Sequence, residues 1–232
     1  TVAAVLKDCD IPAHVESNTG YFSSYEIQVI LSMLRILDNP LQDIPLMGVL
    51  RSPIVGCTSQ ELAELRIQYP DGLLYESVST YAGENEIPEK EPDPDKLKSE
   101  LLNSKNSLNI KLKGFLSLLE KVRNMAAYTP VHELILYVLK ETGYGDYARA
   151  LPGGEQRFAN LTMLVEKAMD YEKTSYRGLF NFVRYIEQLQ AYQVDYGEVN
   201  LTGAGNTAVE IMTIHKSKGL EFPVLFVAGM GK

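Results

Sequence analysis

Val209-Glu210-Ile211-Met212-Thr213-Ile214-His215-Lys216-Ser217-Lys218-Gly219-Leu220-Glu221-Phe222-Pro223-Val224-Leu225-Phe226-Val227 is the stretch on which the reading of this chain turns. Its two ends are apolar and rich in β-branched residues. Residues 209–214 therefore read as a buried strand and 224–228 as another, with a polar turn over 215–223 between them. Open α/β sheets bind ligands in loops at the ends of their strands. This loop offers a hydroxyl (Thr213), an imidazole (His215), a glycine that lets backbone approach a ligand (Gly219) and a carboxylate (Glu221).

Upstream, the chain reads as helical over most of its length. Val2, Val5 and Leu6 share a helix face, Ile11-Pro12 stops that helix, and Ala13-His14-Val15 extends as a short strand. Ser23 and Glu26 have the spacing of a capping box. Ile27, Ile30, Leu31, Leu34 and Leu37 then recur at helical spacing until Asn39-Pro40. Shorter helices are predicted over 46–50, from Thr58 with Glu61 three residues on, and over 72–81. Residues 84–95 are acidic and contain Pro88, Pro92 and Pro94, the composition of a linker. Leu97, Leu101, Leu108, Leu112, Phe115, Leu119 and Val122 form an interrupted apolar stripe on a long helix. That stripe suits packing on its own domain or a coiled-coil partner. Thr129-Pro130 opens a helix that ends near Gly143. Two more follow, carrying Leu161, Leu164, Val165 and Ala168, then Leu179, Val183, Ile186 and Leu189. The fold is thus expected to be mainly α: a large helical insertion over 43–196, flanked over 1–42 and 197–232 by pieces of an α/β domain whose strands lie in one sheet.

Composition bounds the function. The 232 residues are 45% hydrophobic and 22% charged, an ordinary globular balance. The formal net charge of −8 argues against a general DNA-coating protein, whose footprint is a basic face, so any nucleic-acid contact must be local. Two cysteines, Cys9 and Cys57, are too few for a four-cysteine zinc or iron–sulfur site and fit a reducing cytoplasmic setting. His14, His132 and His215 show no metal-ligand spacing, and His14 and His132 read as structural or solvent-facing. Tyr25, Tyr144, Tyr147 and Tyr171 can stack on bases or pack against helices, and helix-face tyrosines more often pack. No apolar run is long enough to cross a membrane, and residues 1–17 lack the basic stretch and long apolar core expected of a signal peptide. The chain has no initiator Met and reads as beginning inside a longer protein. There is no G-x-x-x-x-G-K-[ST] loop: for Gly231-Lys232, the position of the first glycine is Phe226.

The stretch around Thr213-Ile214-His215-Lys216-Ser217-Lys218-Gly219-Leu220-Glu221-Phe222 resembles motif V of the UvrD/Rep-type superfamily 1 DNA helicases. The resemblance extends over nearly the whole chain. Ser24 to Pro40 followed by Leu50-Arg51-Ser52-Pro53 resembles the helix and connection that lead from domain 2A into the inserted domain 2B. Pro130-Val131-His132-Glu133-Leu134-Ile135, Leu151-Pro152-Gly153-Gly154-Glu155-Gln156-Arg157 and Thr174-Ser175-Tyr176-Arg177-Gly178-Leu179-Phe180 resemble the AddA branch of helicase-nucleases in particular. The resemblance implies a helical 2B domain between segments of a RecA-like, P-loop NTPase-type 2A domain. It implies a parent that unwinds and resects broken DNA for recombinational repair, using ATP and Mg, with an AddB-type partner. Thr213, His215 and Gly219 would meet single-stranded DNA, and Glu221 the ribose of ATP. The Walker motifs, the arginine-bearing motif and the nuclease module are absent, so no catalytic or metal-ligating residue is assigned and the chain alone is expected to be inactive. Two alternatives stand beside this: a UvrD- or RecB-like helicase without a nuclease, and a free-standing helical protein-interaction domain.

Overall fold

The computed structural model describes residues 2, 5, 6, 9, 11, 13–15, 21–84, 96–174, 177–192, 209–215 and 217–228, of which 13–15, 84 and 96–106 are described by their backbone alone. The linker expected over 84–95 lies, apart from Glu84, outside these residues. The chain divides into two compact units, residues 1–19 with 200–232, and residues 20–199.

In the first unit, Val2, Val5 and Leu6 are helical, and the helix closes with Cys9 donating its N–H to Val5 O and Ile11 to Leu6 O, at 3.1 and 2.9 Å. Strand β1 (Ala13–Val15) then pairs in parallel with β2 (Val209–Ile211), Ala13 opposite Val209 and Val15 opposite Ile211. The expected pairing of the two ends is present, in a shorter form. Strand geometry stops at Ile211, and Val209 and Glu210 are exposed rather than buried. The third strand expected over 224–228 does not form, and Phe226 is 88% exposed. Parallel pairs gain stability chiefly when both sheet faces are covered, and a two-stranded sheet is marginal alone. Among the described residues of this unit, no strand pairs with 224–228.

The second unit is helical: α1 (Tyr25–Asp38), α2 (Asp43–Arg51), α3 (Ser59–Gln68), α4 (Leu74–Glu84), α5 (Lys96–Ala126), α6 (Val131–Glu141), α7 (Tyr144–Ala150), α8 (Gly154–Glu172) and α9 (Leu179–Ala191). Helix α1, read from sequence within the segment 1–42, lies at the centre of this unit and touches α2, α5, α8 and α9. Ile27, Ile30, Met33, Leu34 and Ile36 are wholly or almost wholly buried, which is why α1 carries apolar residues on nearly every face. The α5 stripe Leu108, Leu112, Phe115, Leu119 and Val122 is buried in the same core, so over this half of the helix the coiled-coil alternative gives way to packing on its own unit. No helix of the described residues is long and apolar enough to cross a membrane.

Polar anchors set the helix ends. Thr58 and Glu61 make a full capping box: Thr58 Oγ1 accepts the Glu61 N–H at 3.1 Å, and Glu61 Oε2 accepts the Thr58 N–H at 2.7 Å. Glu61 also accepts from Lys111 Nζ at 2.8 Å, tying α3 to α5. The capping box expected at Ser23 and Glu26 does not form. Ser24 occupies the N-cap without a side-chain bond, and Glu26 is buried in a tertiary network instead. It accepts from Arg157 Nη1 and from Asn160 Nδ2, both at 2.8 Å, while the Tyr21 hydroxyl donates to Asn160 O at 2.8 Å. Burial, then the nearby carboxylates Glu26 and Glu166, push the Tyr21 phenol well above its ordinary range. Pro130 sits at the N-cap of α6, where its missing N–H costs nothing. At the far end of α8, Glu172 accepts from the Val131 N–H and pairs with His132 Nδ1, serving as a tertiary cap for α6.

Candidate nucleic-acid and nucleotide interface

The loop that follows β2 is built from two successive turns. Thr213 O accepts the Ser217 N–H at 3.1 Å, the Ser217 hydroxyl donates to Ile214 O at 2.9 Å, and Ser217 O accepts the Leu220 N–H at 3.0 Å. Ser217 thus closes the loop on itself. Gly219 follows with φ +87°, a conformation that side chains on L residues disfavour, and a Cβ there would meet no atom within 4 Å. Glycine is therefore required by the turn and not by packing. The local fold leaves Thr213, His215, Gly219 and Glu221 all exposed on one continuous loop. Lys218 is exposed beside them, and Lys216 lies outside the described residues.

Chemically, the nine residues 213–221 carry two hydroxyls, of which that of Ser217 is engaged within the loop, together with one imidazole, one carboxylate and two lysines. Hydroxyl, imidazole and ammonium groups suit phosphate oxygens, whose contacts position a nucleic acid without reading its bases. A carboxylate accepts from paired hydroxyls such as those of a ribose. No group of three His, Cys, Asp or Glu suited to a metal occurs among the described residues, in this loop or elsewhere.

The other residues singled out from sequence separate cleanly. His132 is structural, through Glu172. Tyr144 and Tyr171 are core residues, with Tyr171 in ring contact with Phe182 and Tyr185 at 5.4 and 5.0 Å. Tyr25 and Tyr147 are about half exposed, Tyr147 stacked on Tyr144. The side chain of His14 is not among those described. Sequence reasoning missed an open groove of about 450 Å³ in the helical unit, walled by Ile54, Ile110, Gly114, Ser117, Lys121 and Thr142. Its walls come from the 52–57 turn, α5 and the end of α6, and no local pattern announces such a meeting.

Comparison with known sequences gives a consistent result. The family described as "UvrD-like helicase C-terminal domain" matches residues 1–232. The chain is 42% identical over 260 residues to the A subunit of the ATP-dependent helicase/nuclease of Lachnoclostridium phytofermentans, covering 100% of the chain and 19% of the relative. It is 43% identical over 227 residues to the equally named proteins from Thermoanaerobacter pseudethanolicus and Clostridioides difficile, covering 98% of the chain and 17% and 18% of those relatives. The chain thus spans less than a fifth of the length of these relatives.

Proposed function

Since the chain belongs to the UvrD-like helicase C-terminal domain family, we propose that it is the 2B domain, with flanking pieces of the RecA-like 2A domain, of the larger, AddA-type chain of an ATP-dependent helicase/nuclease. In this reading residues 43–196 form 2B, and 1–42 and 197–232 belong to 2A. The observation that carries it is the parallel pairing of Ala13–Val15 with Val209–Ile211. Parallel strands need a crossover connection, and here the connection holds the helical unit, as it does when a helical domain is inserted into an α/β sheet. The exposed apolar run Val224, Leu225 and Phe226 suits a strand awaiting the remainder of that sheet.

The parent then couples ATP hydrolysis to movement along DNA, resects broken ends for recombinational repair, and works with an AddB-type partner. Within this chain, Thr213 and His215 hydrogen-bond the single-strand phosphates, Gly219 lets the backbone approach them, and Glu221 accepts from the ribose hydroxyls of ATP. The residues present do not by themselves fit Mg-ATP: the sequence supplies a ribose acceptor but no phosphate-binding loop, and among the described residues there is no cluster of carboxylates for the metal. Phosphoryl transfer is therefore assigned to other parts of the parent. The test is steady-state ATP hydrolysis by the parent polypeptide with and without single-stranded DNA. DNA stimulation, with Glu221→Gln raising the KM for ATP, supports the reading. A parent without DNA-stimulated hydrolysis, or an unchanged KM in Glu221→Gln, overturns it.

A further inference from the structure

Ser217 is set apart within the loop that follows β2. Among the described residues of 213–221 it is the one that is not exposed. Three bonds meet at it: its N–H donates to Thr213 O at 3.1 Å, its carbonyl accepts the Leu220 N–H at 3.0 Å, and its hydroxyl donates to Ile214 O at 2.9 Å. The first two use backbone atoms, which every residue other than proline supplies. The third needs a hydroxyl at this position. Serine and threonine hydroxyls that bond a nearby carbonyl in this way fix the local turn.

The acceptor decides what this third bond does. Ile214 O belongs to the peptide unit that joins Ile214 to His215. A peptide unit is planar, so holding its carbonyl also fixes the direction in which the chain enters the His215 Cα. The His215 imidazole is exposed, and an exposed ring on a loop is aimed by the backbone that carries it. We propose that Ser217 is a positioning residue for His215: its hydroxyl, by holding the 214–215 peptide, aims the imidazole at the phosphates of single-stranded DNA. The proposal rests on the reading of His215 as a phosphate contact and gives Ser217 no contact with DNA or nucleotide. Binding groups work at full strength only when a supporting hydrogen bond keeps them in place. The bonds that shape the rest of the loop, including the turn that needs Gly219, use the Ser217 backbone and survive loss of the hydroxyl.

The test is a double-mutant cycle in the parent polypeptide. It reads the concentration of a single-stranded oligonucleotide that half-maximally stimulates ATP hydrolysis, with the KM for ATP measured alongside. Ser217→Ala should raise that concentration by about three- to tenfold, the scale of one lost neutral hydrogen bond, and raise the KM for ATP much less. Ser217→Thr, which keeps a hydroxyl, should restore the wild-type value. In a His215→Ala background, Ser217→Ala should add nothing, because residues that act through one contact are not additive. Additive effects, an equal rise in the KM for ATP, or no rescue by threonine would make Ser217 a general support of the loop and overturn the proposal. Wild-type behaviour of Ser217→Ala beside a weakened His215→Ala overturns it too and leaves the family reading standing. Wild-type behaviour of His215→Ala undoes the phosphate reading itself, so the two failures are distinguishable.

Discussion

Arg157 donates a hydrogen bond to Glu26 at 2.8 Å across 131 residues of chain, and the carboxylate it meets is 5% exposed. With Asn160 on the second carboxylate oxygen, this pair fastens the start of α8 to the first turn of α1, while Glu172 fastens the end of α8 to α6. A buried carboxylate is tolerated only when its lone pairs are occupied, so removing either donor leaves a costly residue behind. We expect Glu26→Gln to destabilise the helical unit by about 1.5–3 kcal/mol, the usual worth of charge-assisted bonds. Ser24→Ala, at an N-cap that makes no side-chain capping bond, should stay within about 0.5 kcal/mol. Urea unfolding followed by circular dichroism measures both. Equal effects of the two substitutions would contradict the network.

Two pairs of positions show what the sequence carries and what it does not. Thr58 with Glu61 and Ser23 with Glu26 have the same spacing, and only the first makes a capping box. The Thr58 bonds close within three residues, so the pattern contains all its partners. Glu26 is claimed by residues more than a hundred positions away, which a window of sequence does not contain. The same distinction explains the strands. Helical periodicity in α1, α5 and α8 was legible because helix hydrogen bonds are local, whereas 224–228 has strand composition but depends on neighbours elsewhere. The residues of the candidate loop were legible as a set. The turn that exposes them depends on Ser217, which no residue-type argument had singled out.

The Thr58–Glu61–Lys111 group makes stability depend on acid. Burial alone would raise the Glu61 carboxyl, but hydrogen bonds from Lys111 and from the Thr58 backbone and side chain outweigh it, and the net shift is downward. A carboxylate lowered in the folded state binds its proton more readily when unfolded. Its contribution is thus present above the unfolded value and disappears as pH falls through the lower folded value. Wild type should lose stability on acidification through this range, and Glu61→Gln should show a shallower loss. Thr58→Ala should cost about 1 kcal/mol at neutral pH. Urea midpoints over a pH series check this, and parallel curves for wild type and Glu61→Gln would remove Glu61 from the account.

The two cysteines should report on different events. Cys57 is 1% exposed, and burial, with a smaller contribution from Glu61, pushes its thiol up to about 11. The thiolate is the reactive form, so native Cys57 should resist alkylation at mildly alkaline pH until the helical unit opens. Cys9 is exposed in the other unit and should react at once. Timed iodoacetamide labelling with mass detection resolves the two sites. Comparable rates at both would mean that the Cys57 pocket opens without unfolding.

The chain by itself should not hydrolyse ATP, with or without DNA. Phosphoryl transfer requires a cradle for the phosphates and a metal site; the sequence carries no phosphate-binding loop, and the described residues hold no group of His, Cys, Asp or Glu suited to a metal. A coupled assay on the purified 232-residue chain decides the matter. DNA-stimulated turnover that persists through purification would show that a phosphate site has been overlooked.

His215 separates a helicase reading from an interaction-module reading. Its imidazole is exposed on the loop after β2, with Lys218 near it in sequence and Glu221 beyond. A phosphate contact carries no base identity, so losing it weakens binding nearly uniformly across sequences and reduces the salt dependence slightly. In the parent, His215→Ala should weaken single-stranded DNA binding by about 1.5–3 kcal/mol, the worth of one charge-assisted contact, and lower DNA-stimulated ATP hydrolysis with it. Nucleotide binding without DNA should stay close to wild type. In the isolated chain the effect should be small, because its net charge of −8 opposes polyanion binding. Fluorescence anisotropy with a labelled oligonucleotide over a salt series, paired with steady-state hydrolysis, measures each quantity. If the folded His215→Ala parent binds and hydrolyses like wild type, His215 does not face the phosphate backbone, and a helical interaction domain becomes the better account of this chain.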